Sequence, residues 1–294
     1  MSSLALFPGF RTFDIATSGT TIHGVTGGSG PPLLLLHGYP QTHALWHKVA
    51  ARLRDRFSLV AADLRGCGDS GKPATTSDHA PYSKRAMALD MAEVMTALGH
   101  QHFFVCGHDR GGRVAHRLAL DHGHRVQRLA VLDIAPTREM YAGTTDAFAR
   151  AYAHWFYLIE PAPFPERMIG AAADEYWRRK CGSGSAGLSV FAPAALAEYL
   201  RCFRDPAMIH ATCEDYRAAA TIDLRHDDED GGRKVACPML ALWGRHGVIE
   251  RCFDCLALWR ERASDVAGEA LPGGHYLAEE LPEMVAERLR QFMV

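Results

Sequence analysis

No apolar stretch in this 294-residue chain approaches the ~20 residues needed to cross a bilayer. The longest aliphatic run is Leu33 to Leu36, behind Pro31 and Pro32, which excludes a multi-span membrane protein. An excess of positive charge is also missing, since 32 Lys and Arg stand against 34 Asp and Glu, a net charge of −2. Nucleic acid is therefore excluded as a partner, because phosphate binding needs a basic surface. Low-complexity tracts and internal repeats are absent, and with 48% apolar and 22% charged residues the chain has enough core-forming material to exclude disorder. Met1 to Phe13 lack the basic start and apolar stretch of an export signal, so a cytoplasmic location is expected.

The eight cysteines are scattered rather than framed, the pattern of reduced thiols and not of a disulfide scaffold. Cys252 and Cys255 form the lone C-x-x-C; with no second ligand pair near, they read as one face of a helix. The acidic run His226-Asp227-Asp228-Glu229-Asp230 reads as a solvated loop. Neither a metal nor a cofactor is expected.

Short apolar runs alternate with helix-period segments, the mark of a mostly parallel sheet flanked by helices. Leu33 to His37, Leu59 to Asp63, Phe103 to Gly107, Leu129 to Ile134 and Met239 to Trp243 read as buried strands. Lys84 to Leu98 and Gly112 to Asp121 read as helices, Phe10 to Gly24 as an antiparallel hairpin, and Leu289 to Val294 as the end of a last helix. From about Pro136 to Arg233 the strand rhythm gives way to aromatics, arginines and loop formers. That change predicts a core of residues 1–136 and 234–294 with a helical cap, 137–233, inserted in it.

Gly107-His108-Asp109-Arg110-Gly111 follows a predicted strand and precedes a predicted helix. Small residues two places either side let the backbone turn sharply and lift the central side chain above the sheet, as in a nucleophile elbow. Taken alone, the string reads equally well as a helix N-cap. Two other segments favour the elbow. His37-Gly38-Tyr39-Pro40 closes the first buried strand, where the Tyr39 N–H can form an oxyanion hole with that of Arg110. Gly273-Gly274-His275 stands after a strand candidate around Glu269 to Leu271, where the base of such a site is expected. His37 reads as structural, Asp63 as fixing a loop together with Arg65, and Asp90 as facing solvent or capping a neighbour.

With these segments in hand, the whole chain resembles the α/β-hydrolase superfamily, and His108-Asp109-Arg110-Gly111-Gly112-Arg113 resembles the fluoroacetate (haloacetate) dehalogenases within it. The cap segments His154-Trp155 and Asp215-Tyr216-Arg217-Ala218 share the resemblance. It implies that Asp109 is the nucleophile, Asp133 the acid and His275 the base. Arg110 and Arg113 would bind the substrate carboxylate, and His154, Trp155 and Tyr216 the halide. It also implies a homodimer. One departure concerns a further mid-cap tryptophan, expected in the stretch that here reads Arg179 to Leu188 and is rich in Gly and Ser; Trp177 lies just ahead of it.

The chemistry of the residues agrees with that likeness. Carboxylate attack on an ester or amide gives a labile anhydride, so an elbow Asp suits attack on saturated carbon, followed by hydrolysis of the alkyl ester. An anionic substrate beside Asp109 needs compensating cations, which Arg110 and Arg113, three apart on a helix, can supply. Imidazole, indole and phenol are all donors for a departing fluoride. Two other classes compete. An epoxide hydrolase or haloalkane dehalogenase would need no doubled arginine, and epoxide hydrolases usually place the acid after the strand ending near Trp243, where Gly244 to Ile249 contains no carboxylate. A non-catalytic ligand-binding protein would normally have lost a member of the Asp109, Asp133, His275 set.

Overall fold

The computed structural model describes residues 3–183 and 186–294, so Gly184 and Ser185 of the Gly and Ser-rich stretch lie outside the described residues. Eight strands form one sheet in the order β1-β2-β4-β3-β5-β6-β7-β8: Arg11–Ala16, Thr21–Gly28, Ser58–Ala62, Pro32–Leu36, Phe103–His108, Val126–Leu132, Met239–Gly244 and Val266–Leu271. Strand β2 runs antiparallel to β1 and β4, and the other pairings are parallel. The continuous apolar run of β3 is what a strand covered on both faces requires. Leu34 and Leu36 pack into one apolar cluster with Val60 and Val105, while Leu33 and Leu35 pack into the other with Leu59 and Cys106. Burying each such leucine stabilises the fold by ~1.5–3 kcal/mol, and that double coating fixes the sheet on which the loops are mounted.

Each expected strand is present within a few residues, as are the helices Lys84–Ala97, Arg110–Asp121 and the C-terminal Pro282–Phe292. Between β6 and β7 the described residues form helices and no strand. No helix among them is long and apolar enough to cross a membrane.

Four local readings are corrected. His226 to Asp230 is not a loop; it belongs to the helix Ile222–Asp230, where Asp227 and Asp230 take ion pairs from the buried Arg117, and Asp228 one from Arg138. Local charge repulsion suggested a loop, and distant arginines reverse it. Cys252 ends one helix and Cys255 starts the next, so they share no helix face; all eight thiols are free. Arg65 does not hold Asp63 but makes a buried two-point pair with Asp90, at 2.6 and 2.7 Å. Asp90 is accordingly buried and does not face solvent. Asp63 does fix its loop, through the Asp69 N–H at 3.0 Å, and takes the His43 N–H and ring at 2.7 and 2.9 Å.

Candidate active site

The site candidates stand on loops after β3, β5, β6 and β8, at the carboxyl ends of the strands, where open α/β sheets present their functional groups. Asp109 follows β5 with φ 46° and ψ −117°, a conformation that costs a non-glycine residue energy and is retained only when its surroundings enforce it. The enforcing contacts are close. A Cβ on Gly107 would stand 2.3 Å from the Gly111 carbonyl oxygen, and one on Gly111 would stand 2.4 Å from that of His37. The turn therefore passes between strand and helix only with glycine at both places.

The buried Asp109 carboxylate accepts from the Tyr39 N–H at 2.9 Å. Burial alone would raise its pKa, but His275 first, with Arg113 and Arg110, outweighs that and holds the carboxyl well below the usual range. His275 Nδ1 donates to Asp133 Oδ2 at 2.6 Å, which leaves Nε2 as the acceptor. Asp133 is itself oriented by the Gly244 N–H on its other oxygen, at 2.8 Å. His108, pushed down to about 3 by burial and then by His275, is neutral and donates from Nε2 to the His275 carbonyl at 2.8 Å. His37 accepts from the Leu64 N–H at 3.0 Å, the structural role expected of it.

The two arginines differ in a way the sequence does not show. Arg110 is committed to Asp215, with Nε and Nη2 on the two carboxylate oxygens at 2.7 and 2.8 Å, and Asp215 also binds Lys84. Among the described residues Arg113 meets only neutral acceptors, Ala135 O at 3.0 Å, Thr137 Oγ1 at 2.7 Å and Met140 Sδ at 3.3 Å. Its charge is thus uncommitted by its direct partners. Arg110 lies over the Tyr216 ring at 4.2 Å and Arg113 over the Trp155 ring at 4.8 Å, while the Trp155 and Tyr216 rings are 6.4 Å apart. Arg110 Nη1, Arg113 Nε, Trp155 Nε1 and the Tyr216 hydroxyl are all buried without a hydrogen-bond partner among the described residues. His154 stands at the edge of this group, 5.8 Å from the Tyr216 ring and 6.0 Å from that of Tyr39. Burial first, then Lys180, push its imidazole well below the ordinary value, so it is neutral.

The residues that the resemblance assigns to the site are thus in one neighbourhood. Lys84, Asp223, Tyr152 and Lys180 were missed. Lys84 is 131 residues from Asp215 in the chain, and no local pattern announces a buried pair at that separation. Tyr152 lies 6.3 Å from His275 and 5.1 Å from His154, ring to ring; its position two residues before His154 was the available signal. Trp177 is packed on Tyr199 and donates to Pro40 O at 2.8 Å, so it supports the loop after Tyr39. Among the described residues His23, His43 and Asp63 alone bring three ligand-type atoms within 4.8 Å of one another, and Asp63 is already engaged by His43.

Comparison with known proteins agrees with the architecture. Residues 31–275 match the alpha/beta hydrolase fold family. The chain is 46% identical to a fluoroacetate dehalogenase from Burkholderia sp, over 98% of this chain and 95% of that one. It is 35% identical to a soluble epoxide hydrolase from Corynebacterium sp., over 94% of each. A crystal structure from Nostoc sp PCC 7120 superposes with a TM-score of 0.94 at 56% identity, over 97% of this chain and 98% of that one. The likeness spans core and intervening helices alike, and the chain belongs to the α/β-hydrolase superfamily and, within it, to the fluoroacetate (haloacetate) dehalogenase family.

Proposed function

We propose that the protein hydrolyses haloacetates, converting fluoroacetate to glycolate and fluoride, with residues 137–233 as a cap over the core. The observation that carries this reading is the set of four buried, unpartnered donors on Arg110, Arg113, Trp155 and Tyr216, beside an ionised carboxylate. A buried donor left without a partner costs ~1–3 kcal/mol. A carboxylate and a halide together would satisfy such a set.

In this mechanism Asp109 attacks the halogen-bearing carbon and forms an alkyl ester as the halide departs with the bonding pair. Trp155, Tyr216 and His154 donate to the leaving anion. His275 then takes a proton from water, whose oxygen attacks the ester carbonyl, while Asp133 holds the imidazole tautomer. The Tyr39 N–H, with that of Arg110, stabilises the oxyanion on Asp109. Support for the Tyr39 half comes from its 2.9 Å bond to a carboxylate oxygen that becomes the ester carbonyl oxygen.

Epoxide opening is the second reading, favoured by the phenols of Tyr152 and Tyr216 near Asp109 and by the Corynebacterium relative. A neutral oxirane, however, leaves Arg113 without an anion. The deciding experiment is a panel of fluoroacetate, chloroacetate, 2-chloropropionate, a neutral chloroalkane and an epoxide, compared by kcat/KM. Haloacids should lead by orders of magnitude; an epoxide or chloroalkane in first place removes the proposal.

A further inference from the structure

Two cavities of about 810 and 470 Å³ adjoin the candidate site from outside, one lined by His154 and the other by Tyr152 and His275. Their charge is of one sign. Arg150, Arg178, Arg179, Lys180 and Arg251 line them, and no Asp or Glu does so among the described residues. Of these cations Lys180 is the innermost: it is half-buried, lines both cavities, and its ammonium lies 6.0 Å from the centre of the Tyr39 ring. Arg150 is answered by Asp146, whereas Lys180 has no carboxylate within ion-pair distance among the described residues. Either cavity far exceeds what a two-carbon acid fills.

We propose that this vestibule is a second carboxylate-binding site, with Lys180 its inner cation, so that the enzyme accepts 2-halo dicarboxylates. The proposal rests on the haloacid reading above. One carboxylate of the substrate takes the place of that of a haloacetate, beside Arg113, and the other extends outward to Lys180. The chemistry is otherwise unaltered. An Asp109 oxygen bonds to C2 while the carbon–halogen bond breaks and the halide leaves with the electron pair. Water, deprotonated by His275, then cleaves the acyl–oxygen bond, giving a 2-hydroxy dicarboxylate and restoring Asp109. A neutral alkyl tail of the same length gains nothing from Lys180, so the preference for a second charge is the signature of the site.

The test compares 2-chlorosuccinate with 2-chlorobutanoate, and 2-chloroglutarate with 2-chloropentanoate, on the full-length protein by chloride release. The expected result is a dicarboxylate-to-monocarboxylate ratio of kcat/KM above one in at least one pair. Lys180→Gln should lower that ratio by about tenfold, the value of one charge-assisted hydrogen bond at a partly open position. Lys180→Arg should hold the ratio within about threefold, since it retains the charge. Ratios at or below one in both pairs, or a ratio that Lys180→Gln does not change, overturn the vestibule while chloroacetate turnover leaves the haloacid reading standing. Absence of turnover on every chloro acid, chloroacetate included, overturns both.

Discussion

Replacing Arg113 by Met removes a positive charge with little change of length, and the geometry sets what that should cost. Its direct partners are a carbonyl, a hydroxyl and a thioether, so the change breaks no direct ion pair, although Asp109 loses one of the nearby cations that hold it ionised. Arg110 cannot take over its role, because two of its nitrogens are spent on Asp215. Two unit charges ~4 Å apart at an effective dielectric of 20 interact by about 4 kcal/mol. That is about a thousandfold in kcat/KM if the substrate carboxylate feels it from encounter to transition state. Chloroacetate turnover, followed by chloride release, should fall by that order. Chloroacetamide has the same leaving group and no charge, so its turnover should fall by less than about tenfold. A thermal melt of the variant separates catalysis from folding, since the freed Ala135 carbonyl costs ~1–3 kcal/mol if no water reaches it. Equal losses on acid and amide would refute the argument and make Arg113 a support for the elbow.

Further outcomes follow from the same geometry. His275→Asn should release about one halide per site and stall as an ester on Asp109, which intact-protein mass spectrometry detects; unmodified protein after the burst removes the covalent mechanism. Tyr216→Phe and Trp155→Phe should each lower fluoroacetate turnover by about ten- to a hundredfold and chloroacetate turnover much less, because fluoride depends most on hydrogen bonds; parallel losses would assign these residues to packing. Arg110→Met should destabilise the fold more than Arg110→Met with Asp215→Asn, since the double variant leaves no uncompensated carboxylate, and calorimetry showing the single variant the more stable contradicts the pairing.

The strands were readable from the chain because a parallel sheet coated on both faces demands continuous apolar runs, and β3 through β7 supply them. The elbow was readable because its two glycines are forced by backbone approaches of 2.3 and 2.4 Å that admit no side chain. What the chain concealed were the ion pairs. Asp90 looked solvent-facing because only the fold brings Arg65 to it, 25 residues away. The acidic helix Ile222–Asp230 looked like a loop because its stabilising Arg117 comes from the elbow helix, 110 residues earlier for Asp227. Arg110 and Arg113 looked equivalent at i and i+3 because spacing fixes the face a side chain occupies and not the partner waiting there. Sequence spacing thus located the groups, and long-range partners decided their charge states.

On the proposed reading, those charge states bear on how a carboxylate nucleophile and an anionic substrate would share one pocket. Lys84 and Arg110 face Asp215 and Asp223, a buried set that balances itself. Asp109 and Arg113 then form a pair of opposite charges at the elbow, beside the buried Asp133 that His275 holds. On the proposed reading, a bound haloacetate adds one negative charge that this arrangement does not balance. Displacement relieves the excess, because Asp109 becomes a neutral ester and Arg113 is left with the substrate carboxylate alone. The surplus charge departs with the halide, and the cations lining the outer cavities give it a favourable direction. Hydrolysis restores the Asp109 carboxylate and makes the product the surplus anion in turn, which weakens its hold. Two uncommitted arginines would bind haloacetate more tightly, but they would hold the hydroxy acid equally well, and binding shared by substrate and product does not speed turnover. On that reading, committing Arg110 to Asp215 leaves Arg113, among the described residues of the elbow, as the cation for one carboxylate, so that binding is strongest where the nucleophile has lost its charge.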